Sequence, residues 1–400
     1  MIDTATLTIS KIREHLNDRV HDALARAGAP DARVEVAPAP KPELGDVGFP
    51  VFALLKVLRK APPLIAQEVA ALIEPDAVIA EVGTEGAYVN LRLNYDTFFE
   101  VVVREALDRG ARFGSDQVSG EAKKQWMVEY SSPNTNKPLH LGHLRNNLLG
   151  ASVAKLASFY GHDVTRINLV NDRGVHICKS MLAYDKWGEG TDPAAAGKKG
   201  DQLVGDFYVL FDKKFSEEYA AWKAEQGESD DPALTSKDVY FNQKSALGAE
   251  VREMLRAWEA GDEAVVALWQ KMNQWVFDGF DQSYARMGVG FKRVQRESET
   301  YKLGKSIVAE GLEKGVLDKR DDGAVVCDLK KIGKKKGEKV LLRSDGTSVY
   351  MTQDLGTAEQ RFAEHELDNL VYVVGDEQIY HFDVLFKVLG LLRPGLAERC

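Results

Sequence analysis

Two histidines three positions apart, His140 and His143, are the residues of this chain best suited to chemistry. An apolar-rich run at 125–130 predicts a buried strand before them, and apolar residues at helical spacing predict a helix that begins near Leu141. Helix starts favour anions, imidazoles donate hydrogen bonds to phosphate oxygens, and Gly142 lets a ligand approach the backbone. The pattern therefore predicts a nucleotide-phosphate site, and the alternative is a capped helix with two exposed histidines. The apolar residues that predict the helix are Leu144, Leu148, Leu149, Val153 and Leu156.

The segments around this loop predict the α/β domain that must position it. The strand at 125–130, the helix and a second strand at 162–170 form a βαβ unit, which is expected to be parallel and right-handed. Ligands bind at the carboxyl ends of strands in such sheets, so we expect residues 171–176 to line the site. A third βα unit follows, with a strand at 369–374, a turn at 375–378 and a helix at 379–392.

Three segments carry a resemblance to a known family. Residues 131–146, S-S-P-N-T-N-K-P-L-H-L-G-H-L-R-N, resemble the arginyl-tRNA synthetase form of the HIGH signature of class I aminoacyl-tRNA synthetases. Residues 344–354 resemble the S-D-G-T-x-x-Y-x-x-x-D segment of that family, and G-D-V-G-F-P with E-G-A-Y-V-N-L-R-L resembles its amino-terminal domain. The resemblance implies an α/β fold in which a Rossmann-like nucleotide-binding domain with a helical insertion follows a small α/β domain.

The resemblance also implies site residues and chemistry. ATP would be held by His140, Gly142 and His143, with Lys137 adding positive charge near the phosphates. The arginine carboxylate would attack the α-phosphate in line, without a covalent enzyme intermediate, and the arginyl group would then pass to tRNA. Mg²⁺ would accompany ATP, and we expect no dedicated metal cage. The residues implied for arginine are Glu129, Asn134, Tyr350, Asp354 and Gln378.

The arginine assignment fits the residue types. Tyr350 and Asp354 are four apart, hence on one side of a helix that starts after the Asp345-Gly346 turn. A planar guanidinium fork needs a carboxylate, and lysine imitates a bidentate pair poorly. The alternative for this pair is a surface ion-pair position, and His381 is interpreted as a residue on the face of the last helix.

Residues 1–118 predict a separate amino-terminal domain, and 119–400 the catalytic domain. Residues 45–50 are interpreted as a turn, with helices on both sides, strands at 78–82 and 87–93, and a final helix at 98–107. The family's equivalent domain contacts tRNA, and a domain that only packs and solubilises is the alternative. The nearest basic candidates are the Arg59-Lys60 pair and Arg92.

Two further segments are distinctive. Residues 185–290 predict a mostly helical insertion, with an aromatic stripe interpreted as core that includes Trp258, Trp269 and Trp275, and with a mobile loop at 188–200. The lysine-rich run at 330–339 is interpreted as a solvated hairpin tip or as a tRNA contact. It is not interpreted as the KMSK loop of class I synthetases, because the family places that loop later.

Composition bounds the remaining properties. The formal net charge of −9 argues against a generic polyanion binder, although a local basic patch could hold tRNA. Three scattered cysteines, no signal peptide and no apolar run of membrane-spanning length predict a cytoplasmic protein, and we expect a monomer. The expected partners are tRNA(Arg), L-arginine and ATP.

The family continues with the KMSK-type loop and a helical anticodon-binding domain, whereas this sequence stops at Cys400. We therefore expect either a fragment or a shortened relative. Two other classes remain open: a different enzyme of the superfamily, such as another class I synthetase or an adenylyltransferase, and a non-catalytic tRNA-binding relative. A synthetase for an apolar amino acid would not need Asp354 and Glu129 near the substrate side chain. A non-catalytic relative would not need both the histidine pair and the Tyr350/Asp354 pair.

Overall fold

A computed structural model describes residues 4–226 and 231–400. Part of the amino-terminal stretch considered for a signal peptide, and four residues of the helical insertion, lie outside these ranges. The chain divides into two compact units, one that ends at Ser115 and one that begins at Asp116.

The amino-terminal unit is a four-stranded antiparallel sheet, in the order β1-β2-β4-β3, with helices packed on it. Its first helix forms because Ile12, Leu16 and Val20 recur at helical spacing and are buried, and because the Thr8 side chain accepts a hydrogen bond from Lys11 N–H. Its elements are α1 (Ile9–Arg26), β1 (Ala37–Pro38), β2 (Val47–Pro50), α2 (Leu55–Leu58), α3 (Pro62–Ala70), β3 (Ile79–Glu85), β4 (Tyr88–Leu93) and α4 (Tyr95–Arg109).

The prediction of a turn at 45–50 is wrong for most of that segment. Val47–Pro50 is strand β2, paired with β4. A Cβ at Gly48 would lie 2.6 Å from Asn90 Oδ1 and 2.8 Å from Val89 O. Gly48 therefore permits close strand approach, and only Gly45 and Asp46 of the predicted turn precede the strand.

The second unit is built on a four-stranded parallel sheet in the order β11-β5-β6-β7. The predicted parallel βαβ unit and the strand and helix near the end of the chain are confirmed. Its elements are β5 (Gln125–Glu129), α5 (Leu141–Tyr160), β6 (Asp163–Val170), α6 (Val175–Trp187), α7 (Pro193–Ala196), α8 (Gly200–Gln226), α9 (Lys237–Gln243), α10 (Ala246–Ala260), α11 (Glu263–Met287), β7 (Arg293–Arg296), α12 (Glu297–Thr300), α13 (Lys305–Glu313), β8 (Asp318–Lys319), β9 (Val325–Asp328), β10 (Glu338–Leu342), α14 (Tyr350–Glu364), β11 (Asn369–Tyr372) and α15 (Ile379–Leu392).

Helix α5 begins where the sequence predicts, but its leucines do not form the buried face. Leu148 and Leu149 are about half exposed and Leu156 more so, at 47, 45 and 68%. The buried face consists of Asn147 and small residues such as Gly150. A Cβ at Gly150 would lie 2.4 Å from Tyr130 Cβ, so the missing side chain brings α5 against the end of β5.

The segment between β6 and β7 is helical in the part that the structure describes. Trp258 belongs to α10, not to the same helix as Trp269 and Trp275, and its ring packs 5.4 Å from that of Trp269. The stripe is therefore an interhelical contact, and the 188–200 loop contains the short helix α7. The described residues include no helix with the length and apolar character needed to cross a bilayer.

The lysine-rich run lies in the connection between β9 and β10, two strands of a small antiparallel sheet, as the hairpin prediction requires. Lys331 pairs with Asp318 at 2.8 Å and Lys334 with Asp383 at 2.5 Å. Part of the positive charge of this run is thus compensated within the unit.

Candidate active site

A cavity of about 890 Å³ opens at the carboxyl ends of all four parallel strands. It lies where the strand order reverses, because β6 and β7 continue to one side of β5 whereas β11 lies on the other. All nine residues that the sequence predicts for the site line it: Glu129, Asn134, Lys137, His140, Gly142, His143, Tyr350, Asp354 and Gln378.

The loop after β5 is held in an unusual backbone conformation. Ser131 and Ser132 both have positive φ, at 81° and 45°, which is strained for residues with a side chain. Asn168 Oδ1 accepts a hydrogen bond from Ser132 N–H at 3.0 Å, and the hydroxyls of Ser131 and Tyr284 are 2.8 Å apart. These buried contacts fix the path of the loop toward α5.

The two histidines cap the helix and expose their other ring nitrogens. His140 Nδ1 accepts from Gly142 N–H at 3.1 Å, and His143 Nδ1 accepts from His140 N–H at 3.2 Å. A ring nitrogen that accepts a hydrogen bond carries no proton, so each neutral ring is protonated at Nε2. Both imidazoles can therefore donate to an anion at the start of α5.

His143 stays neutral at physiological pH. Burial, assisted by the charges of His140 and Lys137, lowers its pKa to about 4. Lys137 lines the same cavity, so a flexible ammonium complements the imidazole N–H donors. This end of the cavity is suited to phosphate oxygens.

Around α14 the cavity is lined by a hydroxyl and a carboxylate. Tyr350 and Asp354 lie one turn apart and both line the cavity. Asp354 Oδ2 lies 2.6 Å from His381 Nε2, and His381 itself lines the cavity. His381 lies on α15, as predicted, but it also lines the cavity, and its ring contacts one oxygen of the Asp354 carboxylate.

Glu297 supplies a second carboxylate to this end. It follows β7 directly, lines the cavity, and makes no hydrogen bond or ion pair with its side chain among the described residues. Burial, with the negative charges of Asp354 and Asp172, raises its pKa to about 8. A half-buried carboxyl group without a side-chain partner favours a cationic ligand.

Glu129 lies in the cavity wall, but its charge is already compensated. Its Oε2 lies 2.5 Å from Nη1 of Arg361, a side chain that is 1% exposed, and its Oε1 accepts from the Ser132 hydroxyl. Gln295 Oε1 accepts from Arg361 Nε and Nη2 at 3.0 and 2.9 Å. The described contacts therefore give Glu129 a buried partner within the chain.

The remaining predicted residues occupy the edges of the site. Asn134 forms a parallel bridge with Asn171, and Gln378 ends the short helical turn that follows β11. An adjoining cavity of about 630 Å³ shares Asn134, Lys137 and Glu297 with the first. Residues 171 and 173–176 line this adjoining cavity, so the predicted site-lining role of that segment is confirmed for these positions.

Comparison with known proteins decides the family. Residues 103–393 match the family model described as tRNA synthetases class I (R), catalytic domain, and residues 10–93 match the arginyl tRNA synthetase N terminal domain. The chain belongs to the arginyl-tRNA synthetase family. The resemblance and the fold class inferred from the sequence are therefore confirmed.

Individual relatives support the same family assignment. The chain is 49% identical over 349 residues to the arginine–tRNA ligase of Porphyromonas gingivalis and 46% identical over 362 residues to that of Parabacteroides distasonis. These matches cover 87% and 90% of the chain but only 56% and 58% of the relatives. The solved structure of the Thermus thermophilus arginyl-tRNA synthetase shares the fold, with a TM-score of 0.67, 24% identity, and coverage of 97% of this chain and 64% of that one.

Within this chain of the arginyl-tRNA synthetase family, sequence reasoning missed Glu297 and His381 as cavity residues. The signal for Glu297 was its place directly after a strand, but Arg293–Arg296 is too polar to predict a buried strand. His381 sits on the first turn of α15, beside the predicted ligand turn at 375–378. Within residues 4–226 and 231–400, no group of three or more His, Cys, Asp or Glu side chains is placed to hold a metal ion.

Proposed function

We propose that this chain provides the amino-acid-activating site of an arginine–tRNA ligase, which forms arginyl-adenylate from L-arginine and ATP and then transfers the arginyl group to tRNA(Arg). The observation that carries the proposal is the mixed lining of the cavity. Imidazole N–H donors and Lys137 line it together with the Asp354 and Glu297 carboxylates. A molecule with a cationic tail and a carboxylate head, next to a nucleoside triphosphate, matches both kinds of group.

The substrate guanidinium is assigned to Asp354 and Glu297, with the Tyr350 hydroxyl beside them. His381 holds one oxygen of Asp354, so the other is free to accept from the guanidinium fork. Glu129, which the family resemblance suggested as a ligand, serves instead to position the wall through Arg361. Asn134 and Gln378 would contact the amino and carboxylate groups of the substrate.

The phosphate end would perform activation by placement and charge stabilisation. An oxygen of the arginine carboxylate forms a bond to the α-phosphorus, and the bond between that phosphorus and the bridging oxygen of pyrophosphate breaks. His140 and His143 donate from Nε2 to the α-phosphate oxygens, and Lys137 offsets the charge on the leaving group. Mg²⁺ is proposed to enter with ATP, bound to its phosphates.

The division into a tRNA-contacting domain at 1–118 and a catalytic domain at 119–400 belongs to the same proposal. Exposed aromatic rings on the amino-terminal unit, Phe52 and Tyr88 at 5.9 Å, support a role in stacking on bases. Lys60 and Arg92, two of the basic candidates there, pair with Glu68 and Glu81, which weakens their case. A monomer in the cytoplasm is part of the proposal, and the three free cysteines support a reducing compartment.

The test is a calorimetric titration of the chain with an unreactive arginyl-adenylate analogue, beside the lysyl and valyl analogues. Binding is expected for the arginyl analogue alone. Asp354→Ala is expected to weaken it by about 2 kcal/mol or more, about 30-fold, because the guanidinium then loses one of the two carboxylates assigned to it. Asp278→Ala, which removes an exposed carboxylate on α11, is the matched control and should change nothing.

The contrary outcomes separate the alternatives. Equal binding of all three analogues would leave only the nucleotide end of the proposal standing and would favour another enzyme of the superfamily. No binding by a folded chain would favour the non-catalytic relative.

A further inference from the structure

The first turn of α12 presents Glu297 to the cavity without a cap from its own neighbours. Glu297 is the first residue of this four-residue helix, and the preceding Arg296 side chain makes no capping hydrogen bond. The N–H groups at a helix start need acceptors from elsewhere. The position of Glu297 therefore depends on whatever group supplies them.

Asp172, which lies two residues after the end of β6, supplies the acceptor for one of these N–H groups, that of Ser298. Its Oδ1 accepts from Ser298 N–H at 2.9 Å, and its Oδ2 accepts from the Ser298 hydroxyl at 2.7 Å. The Asp172 side chain is fully buried, and it does not line the cavity. The two bonds join the ends of neighbouring parallel strands across 126 positions of sequence.

Asp172 is in turn fixed by the helical insertion. Its carbonyl oxygen accepts from the Trp269 indole N–H at 2.6 Å and from the Asn273 side-chain amide at 3.3 Å. Both donors belong to α11. With its backbone and its carboxylate both held, Asp172 has little freedom to follow a shift of α12.

We propose that Asp172 is a positioning residue for the substrate: it caps the first turn of α12 and thereby fixes the Glu297 carboxylate toward the arginine guanidinium. This inference rests on the proposed function and names a support of the same site. A displacement of about 1 Å in a positioning group can cost up to about a hundredfold in binding or rate. Loss of the cap is therefore expected to weaken arginine binding and to spare ATP binding, because the histidines stand on a different element.

The test compares the affinities of variant chains for L-arginine and for a non-hydrolysable ATP analogue by calorimetry. Asp172→Ala should weaken arginine about tenfold or more and the ATP analogue less than about twofold. Asp172→Asn keeps an acceptor for Ser298 N–H and should stay within about threefold of wild type. Ser298→Ala, which loses one of the two bonds, should cost about threefold to tenfold. Glu299→Ala, on the same turn but exposed, is the matched control and should bind both ligands like wild type.

A folded Asp172→Ala chain that binds arginine like wild type overturns the inference, and so does an equal loss of both ligands, which would indicate general damage. An asparagine variant as weak as the alanine variant overturns the capping role. If Asp172→Ala does not fold, Ser298→Ala decides, and unchanged arginine affinity there overturns the inference. Wild-type chain that binds no arginine removes the proposed function and this inference together, whereas the other failures remove this inference alone.

Discussion

The Glu297 carboxyl group gives arginine binding a pH dependence whose sign follows from its surroundings. Burial and the charges of Asp354 and Asp172 raise its pKa to about 8 in the empty cavity. Arg173 opposes this shift, but its guanidinium pairs with Glu259 at 2.5 Å and lies 3.8 Å from the Tyr301 ring centre. At neutral pH the empty cavity therefore holds Glu297 mostly protonated, and a guanidinium must displace that proton to form an ion pair.

The magnitude follows from the pKa. At pH 7 a group with a pKa of about 8 is roughly nine-tenths protonated, and ionising it costs about 1.4 kcal/mol. If the bound guanidinium restores an ordinary pKa, binding at pH 7 releases about 0.9 proton, and at pH 8 about half a proton. Arginine affinity should then rise almost tenfold from pH 6 to pH 7 and level off above pH 8.

The stability of the empty chain should have the opposite slope. The folded-state pKa of Glu297 lies above its unfolded value, so the native chain retains a proton that the unfolded chain has lost between about pH 4.5 and 8. The free energy of unfolding therefore falls as pH rises through this window, by about 1.4 kcal/mol per pH unit from this group. Glu297→Gln lacks this contribution, and the difference between the two chains isolates it.

Calorimetry in two buffers of different ionisation enthalpy measures the proton release directly, and denaturant unfolding at several pH values measures the stability slope. Glu297→Gln should bind arginine about 2 kcal/mol or more weakly and should release no proton from this site. Tight arginine binding by wild type at pH 7 with no proton release would refute the reasoning. An unfolding free energy whose pH slope is the same in both chains would refute it independently.

Three further outcomes are expected. His143→Ala should slow arginine-dependent ATP–pyrophosphate exchange about 10²- to 10³-fold through loss of an N–H donor. The size of this effect should stay constant from pH 6 to 9, because a pKa of about 4 keeps the wild-type His143 ring neutral there. Recovery of the exchange rate at any pH in this range would contradict the prediction. Arg361→Met should cost about 3–5 kcal/mol of unfolding free energy by leaving Glu129 buried without its ion-pair partner. Adding Glu129→Gln to this variant should recover most of the lost stability. Additive losses of the two substitutions on denaturant unfolding would argue against a stabilising ion pair. Gly150→Ala should cost about 1–3 kcal/mol, since the new Cβ would lie 2.4 Å from Tyr130; an unchanged melting temperature would show that α5 can move away.

The sequence predicted the elements of the nucleotide end well because they are local. The strand, the loop and the start of α5 follow one another directly, so their spacing alone places His140 and His143 at a helix start. The buried face of α5 was less accessible to sequence reasoning. Apolar periodicity points to its leucines, whereas the close approach of Tyr130 selects Gly150 and its small neighbours.

The arginine end could be predicted only in part, because it is assembled from segments far apart in sequence. Tyr350 and Asp354 were identified through the resemblance to a family segment. Glu297 was missed because the strand before it, Arg293–Arg296, is too polar to be predicted as a buried strand. The ion pair between Arg361 and Glu129 likewise cannot be predicted from the sequence, because it depends on how α14 packs against β5. Where a carboxylate is both buried and near the ligand, only the tertiary contacts separate a substrate ligand from a structural ion-pair partner.

The parallel sheet explains why both ends meet in one cavity. Each strand delivers one functional group to the same edge: the histidine loop follows β5, Asp172 follows β6, Glu297 follows β7, and the turn that ends at Gln378 follows β11. The two histidine rings are held by hydrogen bonds within their own loop and helix, whereas the carboxylates depend on bonds between elements, from Asp172 to α12 and from His381 to Asp354. Changes in Asp172 or His381 should therefore alter amino-acid recognition before they alter nucleotide binding, even though Asp172 never touches the substrate.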